Sequence, residues 1–338
     1  MASDPFGPHP RKRATITDVA RAAGVAASTV SRSFTNPDRV NSRTREHVLE
    51  VAAELGYSPN PMARALESGR TNTLALLVPD ITNPYFAGVI KGAERAAAAA
   101  GRTLVLGDTQ ESAATEERLV QRLGPAVDGF VLSASRMPDD ELRRVGELNA
   151  ITLANRAVRG FSCVVADYES GTRQIVDHLA SFGHRSFIFL GGPPESWSGA
   201  RRWLGLRAAA HARDMDVRRF GPYSPTLGGG AAAADAAVAA RATAIVCHND
   251  MLAIGVLRRL RERGIAVPDH MSVVGFDNIF GSDLCTPTLT TLAERTEDAG
   301  SRAIEMLGRQ AYERVADPAA SVLPTQLVVR GSTGAVPH

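Results

Sequence analysis

The sequence predicts an α/β protein in two parts, a three-helix N-terminal headpiece and a two-lobed core of doubly wound parallel sheets. Three observations carry that prediction. The run Thr15 to Arg32, TITDVARAAGVAASTVSR, places Ile16, Val19 and Ala20, then Val25 and Val30, at helical spacing around Gly24, which reads as two short helices joined by a tight turn. From Thr71 onward, short apolar runs suited to buried parallel strands alternate with helical segments, and the series occurs twice. With 338 residues the chain has the length for two or three domains and a sizeable core.

Taken in order, residues 1–13 open with the proline-rich MASDPFGPHP and are read as a disordered tail. The headpiece covers 14–59. Its third helix starts at the N-cap Asn41, turns Val48, Val51, Ala52 and Leu55 to one side, and stops at Gly56. Ser58-Pro59-Asn60-Pro61 then punctuates the chain, and Asn60 and Pro61 can cap and open a helix of two turns, Met62 to Glu67, ended by Gly69. A helix that short does not persist alone, so 60–70 is expected to be a hinge that is coil until a partner orders it. The alternative is a plain linker with one helical turn. The core covers 71–338, with strands expected at 74–80, 103–108, 129–135, 150–156, 163–167, 186–192, 244–250 and 272–278. Helices are expected at 85–100, 114–123, 169–182, 200–213, 231–240 and 251–263.

Two surfaces stand out. On the second headpiece helix Ala27, Ser28, Ser31 and Arg32 point away from the apolar side. Short hydroxyls suit phosphate oxygens and a guanidinium suits the O6/N7 edge of guanine, so this face fits a helix laid into a major groove of DNA. In the core, ligands of doubly wound sheets sit beyond the carboxyl ends of the strands, and those ends carry Asp80, Ser133, Asn155, Asn249 and Asp277. Two lobes facing one another across such edges form a cleft, whose carboxylates, amides, arginine and aromatic rings suit a polyhydroxylated ligand.

Composition narrows the function classes. The net charge is only +2, and the basic excess lies in residues 1–70, with ten Lys and Arg against seven Asp and Glu. Cys163, Cys247 and Cys285 are far apart, without the spacing of a disulfide framework or a zinc site, which fits a reducing cytoplasm. No secretion signal and no membrane span are expected. Neither GxSxG, GxxxxGK[ST] nor a strand-linked GxGxxG occurs, and the eight histidines are scattered, so catalysis is not expected and no cofactor or metal is implied.

From about Ala14 to Gly334 the chain resembles the lactose-repressor (LacI-type) family of bacterial transcriptional regulators. The resemblance rests on TITDVARAAGV, STVSR, TREHVLEVAAELGYSPNPMARAL, LLVPDITNPYF, VDGFVL, SFGHRSFIFLGGP, RRWLGLRAA, HNDMLAIGVLRRLRERGI and VPDHMSVVGFDN, in family order and spacing. It implies a helix-turn-helix headpiece, a hinge helix entering the minor groove, and a periplasmic-binding-protein-like core that dimerises and binds an effector. Carried over by position, Ala27, Ser28 and Arg32 resemble base-reading residues, and Thr15, Thr29 and Ser31 resemble phosphate contacts. Asn60, Ala63 and Leu66 match the hinge, Leu66 as the wedge at a central base step. Asp80, Tyr85, Phe86, Ser133, Asn155, Ser198, Arg202, Tyr223, Asn249, Asp277 and Glu294 resemble effector contacts. The family's crossovers place about 72–167 and 298–325 in one lobe, and about 168–297 and 326–331 in the other. The implied partners are a near-palindromic double-stranded DNA operator, a small effector of carbohydrate type and a second copy of the chain. Ala26 departs from the serine that many members place there, and Ala27 is small for a base-reading position. The competing expectation, a periplasmic sugar-binding protein without a transcriptional role, calls for a signal peptide and no headpiece.

Overall fold

The computed structural model of the protein describes residues 14–58, 69–313 and 318–336. The expected tail 1–13 and the hinge residues Asn60, Ala63 and Leu66 lie outside the described residues. The chain divides into two units, residues 1–71 and 72–338.

In the first unit, helix α1 (Ile16–Ala23) begins at a reciprocal cap. Asp18 N donates to Thr15 Oγ1 at 3.3 Å while Thr15 N donates to the Asp18 carboxylate at 3.0 Å. Gly24, at φ +66°, ends α1 in the left-handed region that glycine adopts without strain. α2 (Ala27–Thr35) and α3 (Ser42–Glu54) follow, and Asn41 caps α3 by accepting from Arg43 N at 3.0 Å. Val19, Ala20, Ala23, Val30, Val48 and Ala52 are packed together, with Phe34 edge-on to Tyr57 at their margin. The expected apolar face of α3 needs one correction. Leu55 is 42% exposed, because it is the residue after the last turn and already leads into Gly56.

The second unit holds, among its described residues, two six-stranded sheets. The first contains β1 (Thr73–Val78), β2 (Thr103–Asp108), β3 (Phe130–Ser133), β4 (Ile151–Ala154), β5 (Ser162–Ala166) and β11 (Ala320–Leu323), in the order β11-β5-β4-β3-β1-β2. The second contains β6 (Ser186–Leu190), β7 (Asp216–Phe220), β8 (Ala244–Cys247), β9 (Ser272–Asp277), β10 (Thr290–Ala293) and β12 (Gln326–Val328), in the order β12-β10-β9-β8-β6-β7. All pairings are parallel except that of β12 with β10. The central strands are apolar on both faces because helices cover both, as a parallel sheet requires. These helices are α4 (Pro84–Ala99), α5 (Ala113–Leu123), α6 (Asp139–Gly146) and α11 (Thr296–Glu313) in the first lobe. In the second they are α7 (Tyr168–Ser181), α8 (Trp197–His211), α9 (Gly230–Ala239) and α10 (Asp250–Glu262).

The chain passes between the lobes after β5, after β10 and between β11 and β12. Two of these passages are tied together: Asp167 N donates to Leu323 O at 2.8 Å and Thr325 Oγ1 to Asp167 O at 3.0 Å. α11 returns to the first lobe and lies close against α4, where a Cβ on Gly92 would stand 1.9 Å from Glu297 O. The elements α6, α11, β7, β10, β11 and β12 go beyond those expected from sequence.

Candidate functional site

On α2 the described side chains divide as an amphipathic helix should. Val30 and Ser33 are buried, Thr29 and Ser31 are half-buried, and Ala27, Ser28 and Arg32 are exposed. The Arg32 side chain has no hydrogen bond or ion pair among the described residues, so its five N–H donors face outward without a competitor. Ala26 provides no side-chain cap, which leaves the amides of Ala27 and Ser28 at the helix N-terminus without an intrahelical acceptor. Thr15 sits differently from a simple phosphate donor. Its hydroxyl donates to Asp18 Oδ2 at 2.7 Å, so its proton is engaged in the capping of α1.

The cleft is built around Arg202 in α8. The apolar faces of α8 and β9 carry it inward until its side chain is 3% exposed, where a guanidinium persists only if its donors are matched. Nη1 donates to His248 O at 2.5 Å, and Nη2 donates to Asp277 Oδ1 at 2.9 Å and Glu294 Oε1 at 2.7 Å. Two further hydrogen bonds join the lobes: Tyr85 O–H donates to Glu294 Oε2 at 3.0 Å, and Tyr168 O–H donates to Asn155 Oδ1 at 2.7 Å.

The electrostatics follow from burial. Asp277 is pushed well above the usual carboxylate range by its desolvation; Arg202 opposes this, while Glu294 and Asp250 reinforce it. Burial likewise raises the phenols of Tyr85 and Tyr168. His248 is held well below the ordinary imidazole value, first by burial and then by the positive charges of Arg202, Arg136 and Arg219. The backbone is strained at the same place. Ala134, Asn155 and Asp277, each following or closing a strand, have φ of 47°, 55° and 108°, a conformation that costs of order 1–3 kcal/mol where it is enforced.

Beside Arg202 lies a cavity of about 40 Å³ that opens to solvent. Of the residues expected at the effector site, it brings together Tyr85, Phe86, Asn155, Ser198, Arg202, Asn249 and Asp277. Four expected contacts are placed elsewhere. Asp80 turns its carboxylate onto Thr82 N (2.8 Å) and Thr82 Oγ1 (2.6 Å), shaping the loop before α4. Glu294 borders an adjoining hollow and supports Arg202 and Tyr85. Tyr223 packs beside the apolar cluster of the second lobe, and Ser133 is 2% exposed at the end of β3 with its hydroxyl unbonded. Asn249 is a wall as well as a lining residue, since it caps α10 through Leu252 N and donates to Pro225 O, each at 3.0 Å.

Asn83, Glu111, Ala134, Arg136, Ser196, Pro225 and His248 also line the cavity without having been singled out as contacts. A signal was present for Ser196, an N-cap serine two positions before Ser198. Arg136 has no local pattern to mark it, because its place depends on an ion pair with Glu111 at 2.7 Å. Among the described residues no cluster of three or more metal-ligating side chains occurs, and no helix is long and apolar enough to cross a membrane.

Comparison with known proteins adds two kinds of likeness. A model described as bacterial regulatory proteins, lacI family, matches residues 15–60, and one described as a periplasmic binding protein-like domain matches residues 176–333. The HTH-type transcriptional repressor CytR of Escherichia coli (strain K12) is 31% identical over 332 residues, covering 96% of this chain and 97% of its own. The HTH-type transcriptional regulator DegA of Bacillus subtilis (strain 168) is 31% identical over 336 residues, with 95% and 98% covered. Among solved structures, the lac repressor dimer bound to operator and the anti-inducer ONPF superposes with a TM-score of 0.86 over 96% of this chain and all of that one, at 24% identity. The transcriptional regulator CelR in complex with cellobiose matches with a TM-score of 0.71 over 95% of this chain and all of its own, at 30% identity.

Proposed function

This chain belongs to the lacI family of bacterial regulatory proteins, and from that premise we propose that it is a repressor whose operator affinity is set by a small polar effector, a sugar or sugar derivative, in the cleft of the core. It is a DNA-binding transcriptional regulator with a helix-turn-helix, not an enzyme, as are the relatives it matches over nearly its whole length. The finer reading is ours. Two copies bind a near-palindromic operator in the cytoplasm, since one headpiece covers only a half-site. Ala27, Ser28 and Arg32 meet base edges, Thr29 and Ser31 meet phosphates, and Thr15 does so only by giving up its bond to Asp18. Domain limits follow the sequence reading: headpiece 14–59, hinge 60–70 with Asn60, Ala63 and Leu66 toward the minor groove, and core from 71. The hinge reading is tested by amide exchange: protection of 60–67 should appear only with operator, and protection in free protein would contradict it.

The observation that carries the effector reading is the buried Arg202 with Asp277 at the edge of a cavity whose wall also holds the amides of Asn83, Asn155 and Asn249, the hydroxyls of Ser196 and Ser198, the rings of Tyr85 and Phe86, and the polar groups of Glu111, Arg136 and His248. Carboxylate and guanidinium side by side offer acceptors and donors at fixed spacing, which is what vicinal hydroxyls need, and the Tyr85–Phe86 pair offers an apolar ring face. The CelR relative was solved with cellobiose, in keeping with a carbohydrate. Calorimetry of the full chain against neutral and charged sugars tests the reading. At least one should bind the wild type and lose at least about tenfold in affinity in Asp277→Ala. Undiminished binding in the variant would contradict it. The periplasmic alternative is disfavoured by the headpiece match at residues 15–60.

A further inference from the structure

We propose that the first turn of α8 together with His248 forms an oxyanion subsite of the cleft, and that the effector therefore carries a carboxylate or phosphate group. This rests on the reading of the cleft as the effector site and narrows its ligand class.

α8 runs fifteen residues, so its N-terminus carries the partial positive charge of a full helix. Ser196 caps it by accepting from Gly199 N at 3.1 Å and stands 3.2 Å from Ser198 Oγ, and both serines line the cavity. The amides of Trp197 and Ser198 have no acceptor within the helix, the arrangement that receives anions elsewhere. The independent observation is His248. It is 5% exposed, borders the same cavity, and its Nδ1 is buried without a hydrogen bond among the described residues. Two glycines hold the ring. A Cβ on Gly192 would stand 2.6 Å from the ring, and one on Gly199 would stand 2.8 Å from Cε1, 3.2 Å from Nδ1 and 3.2 Å from Ser196 Oγ. Nδ1 thus faces the capped turn of α8, and a buried imidazole nitrogen left so is satisfied only when something polar arrives.

Charge decides what that is. The charged groups that act on His248 are the guanidiniums of Arg202, Arg136 and Arg219. The carboxylates bordering the cavity are already matched, Glu111 by Arg136 at 2.7 Å and Asp277 by Arg202 at 2.9 Å. Arg136 and Arg202 are engaged in turn, Arg202 by Glu294 as well at 2.7 Å, so what favours an anion over a neutral hydroxyl here is the N-terminal turn of α8 together with Arg219, which has no ion pair among the described residues.

The test is a titration of the full chain carrying ¹³C,¹⁵N-histidine, with the His248 resonance assigned by its disappearance in His248→Gln. Inorganic phosphate, D-glucuronate, D-glucose 6-phosphate and D-glucose are added at ionic strength matched with chloride. Phosphate should move the His248 resonance saturably, and Ser198→Ala should abolish that shift. Of the sugars, at least one acid form should bind about tenfold or more tighter than glucose, glucuronate and glucose 6-phosphate distinguishing carboxylate from phosphate. A His248 resonance indifferent to phosphate, or glucose binding as tightly as both acid forms, overturns the subsite. Asp277→Ala separates the two readings: a variant that keeps full sugar affinity overturns the cleft assignment, whereas a phosphate-silent His248 with Asp277-dependent sugar binding overturns the subsite alone.

Discussion

Arg32 stands exposed on α2 with no partner among the described residues, and a guanidinium so placed can offer two parallel donors to the O6/N7 edge of guanine. We expect Arg32→Ala to relax specificity at one base pair per half-site, by about 1–3 kcal/mol, in anisotropy titrations against operators varied one base at a time. Equal weakening on operator and random DNA would contradict base reading. Arg202 is the opposite case, a charge that belongs inside because three acceptors meet it. Removing it leaves Asp277 and Glu294 buried without a counter-ion, so Arg202→Leu should destabilise the core by about 3–5 kcal/mol near neutral pH. Asp277, which burial already raises, takes up a proton more readily once the guanidinium is gone, so urea melts should show the deficit shrinking as pH falls; a deficit that grows would contradict this. Asp277 and Asn249 were legible because each stands at the carboxyl end of a strand, whereas Arg202, inside a helix, was legible only through the family resemblance. His248, next to Asn249, reads as a cleft-edge residue, but its enclosure by Gly192 and Gly199 does not show in sequence, nor does the place of Arg136, which depends on the distant Glu111.

Asp250 shows how one side chain fixes an element. It opens α10 yet is buried, and it accepts from Ile279 N at 3.0 Å, Ser282 Oγ at 2.6 Å and Thr291 Oγ1 at 2.6 Å, pinning the connection between β9 and β10. Burial raises it from 3.8 to about 6 against those hydrogen bonds. A carboxyl whose folded pKa is raised binds more protons in the native state between the two values, so stability falls as pH rises through that window and is level above it. The stability of wild type minus that of Asp250→Asn should therefore decrease from about pH 4 to about pH 6, in denaturant melts at matched ionic strength. A difference independent of pH would contradict this. The long apolar strands and the helices that follow them were legible from period alone. β7, with the sequence DVRRF, was not, since an edge strand open to solvent on most positions loses the apolar run. β10, β11 and β12 have only three or four residues each and take their order from the passages between lobes. α11 has an amphipathic sequence, but its seat against α4 depends on the close approach at Gly92 and Gly300, a relation between distant segments that sequence alone does not show.

At the scale of the whole molecule, the proposed function requires that occupancy of the cleft alter operator affinity. Tyr85 to Glu294 and Tyr168 to Asn155 are hydrogen bonds from one lobe to the other beside the cavity, so an occupant that prefers one arrangement of the lobes biases these contacts. A ligand shifts the DNA-bound equilibrium only by its difference in affinity for the two arrangements, with about 1–3 kcal/mol being typical of such coupling. The two-part plan, the doubled α/β series and the strand-end position of the cleft were legible in the sequence, because periodicity and order are local and repeated. The identity of the effector was not, because it depends on how side chains from two lobes meet. The most direct test measures operator affinity of wild type and Asp277→Ala, on a site selected from random DNA, with and without a sugar that binds the wild type. The account requires a two-fold symmetric site and a wild-type shift of about 5- to 150-fold on adding the sugar. In Asp277→Ala, affinity without sugar should be unchanged and the shift absent. A variant that still responds at the wild-type concentration, or that loses operator binding while remaining folded, would contradict it.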